Sequence, residues 1–153
     1  MDDKKQHFPS RNASQTGSYA IGRFIQQLRK LERHPRTFGD GGALTPSEIH
    51  TIDAIGTEGS LLMSELAKRM GVTKGAVTQV ITRLQAKELV ERVHDPEDFR
   101  VVLVSLTEKG RSAYLAHQQL HESFYKELYA QFDQKEIEIF EACLDKLVAH
   151  LQP

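Results

Sequence analysis

Residues 61–106 predict a mainly α protein carrying a small β-wing, and three observations carry that prediction. A short helical stretch from Met63 to Met70 stops at Gly71. A second helix opens at Thr73. Two short β-type runs, Leu89 to His94 and Val101 to Ser105, then flank an acidic turn. Helix, turn, helix and hairpin in that order make a winged helix-turn-helix, a layout that puts one helix into the major groove of DNA. Amphipathic stretches at both ends complete the expectation: a winged helix-turn-helix with N- and C-terminal dimerisation helices.

Each element has a local cause. Residues 1–17 are polar without apolar periodicity and read as a flexible arm. Ile21, Phe24, Ile25, Leu28 and Leu31 recur at three and four, which predicts a first helix in an N-terminal dimerisation segment, 18–43. The end of that segment, RHPRTFGDGGAL, reads as a loop punctuated by Pro35 and glycines. Thr45-Pro46-Ser47-Glu48 is a capping box with proline at the first helical position, so a second helix starts there and ends by Gly56. It opens the DNA-binding segment, 44–106. Thr107 caps a long helix running through Tyr114, Leu115, Leu120, Phe124 and Leu128. Asp133 with Glu136 opens the last helix, which carries Ile137, Phe140, Leu144, Leu147 and Leu151. Residues 107–153 are thus a C-terminal dimerisation segment. Apolar faces at both ends of the chain fit an intersubunit bundle, and a two-fold dimer would set two recognition helices one DNA turn, about 34 Å, apart.

Composition bounds the function classes. With 39% hydrophobic and 27% charged residues, the chain is expected to be a soluble globular protein. No apolar run approaches the ~20 residues of a membrane span, and no signal-peptide pattern opens the chain. A single cysteine, Cys143, rules out an internal disulfide framework and fits the reducing cytoplasm. Its place on the apolar stripe of the last helix predicts buried packing. The net charge of −1 is low for a DNA binder, but it is unevenly spread. Residues 61–111 carry nine Lys/Arg against seven Asp/Glu, whereas 112–153 carry three against seven. The basic residues gather at Lys68, Arg69, Lys74, Arg83, Lys87 and Arg92, and phosphate binding needs only such a local patch. Solvated helix faces would give the same charge pattern.

Chemistry assigns roles along the reading helix. Thr73, Lys74, Thr78, Gln79 and Arg83 are its polar positions, while Ala76, Val77, Val80, Ile81 and Leu84 include its core face. Threonine and glutamine both donate and accept hydrogen bonds at base edges. Thr73 and Lys74 sit where a helix N-terminus favours phosphate, and Gly75 lets the backbone approach closely.

From Leu44 to Arg111 the sequence resembles the MarR family of transcriptional regulators. The resemblance is carried by GVTKGAVTQVITRLQAKELVER and by DPEDFRVVLVSLTEKGR, where the wing pattern appears as Asp95, Asp98 and Arg100. It implies a homodimer that binds a pseudo-palindromic operator in double-stranded DNA and changes affinity with an effector. It also makes Arg100 the candidate for a minor-groove or phosphate contact, the alternative being an ion pair with Asp98 that shapes the hairpin. Pro96, Glu97 and Phe99 replace the more basic tip of many relatives, which argues against deep groove insertion.

Histidines supply a second signal. His117 and His121 are spaced i, i+4, so both rings leave one helix face, and two imidazoles at that spacing can share a Zn²⁺. A solvated face would also place them there. Around LTPSEIH and SLTEKGRSAYLAHQQLH the chain is similar to the zinc-sensing branch of the MarR family, the zinc-uptake repressors. That resemblance implies one Zn(II) site per subunit, held by Glu32, His50, His117 and His121, with His34 close enough to replace Glu32. The second metal site of that branch has no counterpart, because Phe38, Ile49 and Ala116 stand at its ligand positions. The alternative is a cleft for a small anionic aromatic or drug-like ligand. A metal-binding protein-interaction module is a further class. An enzyme is not expected: Glu122 adjoins the histidine pair, but the His-Glu-x-x-His order of zinc hydrolases is absent.

Overall fold

A computed structural model describes residues 13–31 and 33–151. The chain divides into two compact units, one ending at Pro35 and one starting at Arg36. The first contains α1 (Ala13–Leu31), which begins inside the stretch expected to be a flexible arm. No proline lies between Ser10 and His34, so helix propagates backward from the apolar stripe, gaining one hydrogen bond per residue. The expected arm otherwise falls on residues 1–12, outside the described residues. The stripe itself, including Ile21, Phe24, Ile25, Leu28 and Leu31, is exposed.

The second unit opens with a hairpin where a loop was expected. β1 (Arg36–Thr37) pairs antiparallel with β2 (Ala43–Leu44), with a 3-10 turn at Gly39–Gly41 between them. Phe38 and Leu44 are buried in the core. The Asp40 amide donates to Ser112 Oγ at 3.1 Å, and that hydroxyl donates to the Asp40 carboxylate at 3.1 Å.

The helices follow the sequence closely. In α2 (Pro46–Ile55) the capping box is complete: the Glu48 amide donates to Thr45 Oγ1 and the Thr45 amide to Glu48 Oε2. α3 (Met63–Met70) stops at Gly71, whose φ of 63° lies in the left-handed region that glycine enters without strain. α4 (Lys74–Ala86) is capped by Thr73, whose hydroxyl accepts from the Ala76 amide at 3.2 Å. α5 (Glu108–Gln131) is capped by Thr107, and α6 (Gln134–Leu151) by the reciprocal Asp133–Glu136 pair, 2.9 Å in each direction.

The wing is β4 (Val90–His94) against β5 (Val102–Leu106), in register from Val90–Leu106 to His94–Val102. A two-residue strand, β3 (Leu61–Leu62), joins the other edge of β5, giving the order β3-β5-β4. Two residues carry no readable period, so this strand was silent in the sequence. The core lies between α2, α3, α4 and the sheet, where Ile52, Leu66, Val77, Ile81, Leu84, Leu89 and Val104 are fully buried. Each such aliphatic side chain contributes about 1.5–3 kcal/mol of transfer free energy.

Farther along the chain the packing thins. Only Ile137 of α6 is buried, while Phe124, Phe132, Phe140, Leu147 and Leu151 are exposed. Cys143 is exposed as well, against the expectation of buried packing, because its face of α6 has no cover among the described residues. Among the described residues no helix is long and apolar enough to cross a membrane.

Candidate nucleic-acid interface and histidine cluster

α4 presents one apolar and one polar face, as its sequence predicts. Val77, Val80, Ile81 and Leu84 are buried, while Thr73, Lys74, Gly75, Thr78, Gln79 and Arg83 are all exposed. A Cβ on Gly75 would meet only Thr73 Oγ1, at 3.9 Å, so nothing inside the chain requires glycine there. The Thr78 hydroxyl donates to the Lys74 carbonyl at 2.9 Å, which leaves its oxygen free to accept from a ligand.

The wing turn is pre-formed by its own carboxylates. Asp95 Oδ1 accepts from the Glu97 and Asp98 amides at 2.8 and 3.3 Å, and Asp98 Oδ1 accepts from the Arg100 amide at 3.0 Å. Asp98 thus holds the backbone of Arg100. Among the described residues no ion pair engages the Arg100 guanidinium, so the structural-pair alternative loses its footing. Between α4, the start of α3 and the wing lies an open concavity of about 630 Å³. Its polar lining is Ser64, Lys74, Thr78, Arg92, His94 and Arg100, with no carboxylate. Sequence reasoning missed Ser64 and His94. The alternation of a strand, which puts His94 on the face of Arg92, was the available signal for the histidine.

Two residues of the basic patch, Lys87 and Arg83, turn toward the buried Glu48. Glu48 is 2% exposed, and the Lys87 ammonium donates to its Oε2 at 2.8 Å and to the Ala43 carbonyl at 3.2 Å. The Arg83 Nε stands 3.9 Å from Oε1. Burial alone would raise the Glu48 pKa, but the Lys87 and Thr45 hydrogen bonds outweigh it and hold the carboxyl below its ordinary 4.5. The stability it contributes is therefore present above that value and is lost as pH falls below it. Lys87→Ala should destabilise the fold by about 2 kcal/mol in urea unfolding, since it strips the main partner from a buried carboxylate. An unchanged midpoint would contradict this account of the joint between α2 and α4.

The histidines expected to act together do meet, in part. His117 is buried on α5, its ring centroid 4.4 Å from that of His121 and 6.1 Å from that of His50 on α2. Phe38 packs edge-on against it at 5.5 Å. His117 Nδ1 is 3.4 Å from Asp53 Oδ1, too poorly aligned for a hydrogen bond, so this buried nitrogen has no partner. Asp53 instead accepts from Gln118 Nε2 at 2.7 Å. Burial pushes the His117 pKa below its ordinary value; the Asp53 carboxylate opposes that, and His121 and His50 reinforce it. The lowered pKa favours the neutral ring, the form that binds metal. Among the described residues no three metal-ligating side chains already converge on one point. Glu32 lies outside the described residues, and His34 belongs to the first unit.

Helix-turn-helix, three-stranded wing and a carboxylate-free basic concavity between them define the class: a winged helix-turn-helix DNA-binding protein. Comparison with known proteins narrows it. Residues 44–102 match the MarR family. An uncharacterized HTH-type transcriptional regulator of Bacillus subtilis, YsmB, is 32% identical over 69% of this chain and 72% of its own. The transcriptional regulator AdcR of Streptococcus pneumoniae is 32% identical over 72% of this chain and 77% of its own. Among solved structures, Streptococcus pneumoniae FabT in complex with DNA superposes with a TM-score of 0.76 at 29% identity, covering 92% of this chain and 97% of that one. The chain belongs to the MarR family, whose members are transcriptional regulators and not enzymes.

Proposed function

We propose that the protein is a dimeric repressor that reads a pseudo-palindromic operator and whose DNA affinity is set by Zn(II). The observation that carries the DNA part is the basic concavity, where Lys74 and Thr78 of α4 face Arg92 of β4 and Arg100 of the wing. FabT, a relative solved in complex with DNA, supports DNA binding. The exposed apolar faces of α1, α5 and α6 support the dimer: Phe24, Leu28, Phe124, Phe140 and Leu147 exceed what a monomer normally leaves open. Paired helices there would set the spacing of the two reading helices.

The metal part rests on His117. Its buried, unpartnered Nδ1 belongs to a ring flanked by two further imidazoles and a carboxylate, and a buried polar atom without a partner is destabilising by about 1–3 kcal/mol. A ligand that satisfies it has a ready driving force. His50 and His121 are exposed, and imidazole nitrogens are a donor set suited to zinc. Sequence identity does not single out a metal-sensing branch, since YsmB and AdcR are both 32% identical. The histidine trio is what favours it. Bound there, Zn²⁺ would cross-link α2 to α5. α2 also grips α4 through Glu48 and Lys87, so the cleft and the reading helix share one strut. If zinc tightens operator binding, operator must tighten zinc binding by the same factor.

Metal content of untagged protein, parent beside His117→Ala, tests this reading. About one zinc per subunit in the parent and little in the variant is the expected result. Neutral rings are required, so zinc should be lost as pH falls below about 6. Failure of the parent to take up added Zn²⁺ at neutral pH would end the metal reading. The cleft would then be screened with small aromatic acids.

A further inference from the structure

We propose that His94 is a further DNA-contacting residue, one that grips a phosphate only when its ring is protonated. The proposal rests on the DNA-binding reading above and adds a proton to it. His94 closes β4 and lines the basic concavity beside Lys74 of α4, Arg92 of β4, Arg100 of the wing and Ser64 of α3. No carboxylate lines that surface, and in the adjoining turn Asp95 Oδ1 accepts from two turn amides while Asp98 Oδ1 accepts from the Arg100 amide. Three fixed cations around an open concavity are suited to an anion, and DNA supplies phosphate at every nucleotide.

The hydrogen bond at the other side of the ring decides the tautomer. His94 Nδ1 lies 2.9 Å from the Phe99 carbonyl oxygen, which can only accept. Nδ1 therefore carries the proton, and in the neutral ring Nε2 offers a lone pair. A lone pair repels a phosphate oxygen. Protonation turns Nε2 into a charged donor and keeps the Phe99 bond, so the ring gains a phosphate contact without changing its orientation. The wing backbone, braced by Asp95 and Asp98, holds the ring in place for either state.

Binding is measured by fluorescence anisotropy on a duplex that the parent selects, with metal chelated, at about pH 6 and about pH 8. The parent should bind roughly fivefold tighter at the lower pH, and its salt dependence should steepen there by about 0.9 in log–log slope for each ring engaged. His94→Gln should remove both differences and bind at either pH as the parent does near pH 8. His94→Lys, with its permanent charge, should bind tightly at both. If His94→Gln keeps the parent's pH difference and slope change, the proposal is wrong. If the parent selects and binds no duplex at either pH, with zinc added as well as with metal chelated, the DNA reading itself falls, and this inference with it.

Discussion

Lys74→Ala combined with Arg100→Ala is expected to weaken operator binding on the order of a hundredfold or more at moderate salt, with no change in fold. Both side chains are exposed and face the same concavity, one from the first turn of α4 and one from the wing. Neither is committed to a partner among the described residues, unlike Lys87, whose ammonium is spent on Glu48. A dimer loses four phosphate-directed charges in this variant, so the log–log salt slope should flatten by about 3.6. Lys87→Ala should leave that slope where it was, although it lowers stability. The pair of variants separates cations that meet DNA from a cation that holds α2 to α4. Equal salt slopes in parent and double variant would mean that DNA does not lie along this surface.

Gly110→Ala should produce the largest loss of stability, about 3 kcal/mol or more, seen as a lower urea midpoint. A Cβ at this position of α5 would run into the backbone carbonyl oxygen of Leu89, which has no rotamer by which to yield. The same carbonyl accepts from the Thr107 amide at 3.1 Å, so the wing and the start of α5 are locked at this crossing. Gly75→Ala is the contrast. Helix α4 has open space there, and the change should stabilise the free protein by up to about 1 kcal/mol while hindering close approach to DNA. Two glycines in helices thus answer to different needs, one to internal packing and one to a ligand outside the chain. If Gly110→Ala unfolded like the parent, the crossing of α5 over the wing would be misdescribed.

The caps and glycine stops made most of the fold legible. Thr45 with Glu48, Gly71, Thr73, Thr107, and Asp133 with Glu136 are chemical marks of helix ends, and each stands where its helix starts or stops. Elements without such marks were unreadable: the two-residue strand Leu61–Leu62, and the hairpin around Phe38 whose glycines look like any loop. Burial also separates cases that sequence treats alike. Cys143 and Val77 both lie on apolar helical stripes, yet of the two only Val77 is covered among the described residues.

At the site, residue chemistry gave the reading face of α4 but not the use of each charge. Lys74 and Lys87 bracket the same helix, and only the fold shows that one points to a concavity and the other to Glu48. Spacing brought His117 and His121 together, because i, i+4 is a local relation. His50 joins them across the α2–α5 contact, which spacing could not reveal. Asp53 and Gln118, which decide the environment of His117, carried no signal of their own.

Selection of bound sequences from a random duplex library, using the purified full chain, tests the central claim most directly. A dimer reading DNA through α4 should enrich two-fold symmetric sequences whose half-site centres lie about one helical turn, roughly 10 base pairs, apart. Enrichment of single, unpaired half-sites, or no enrichment over the starting library, would contradict it.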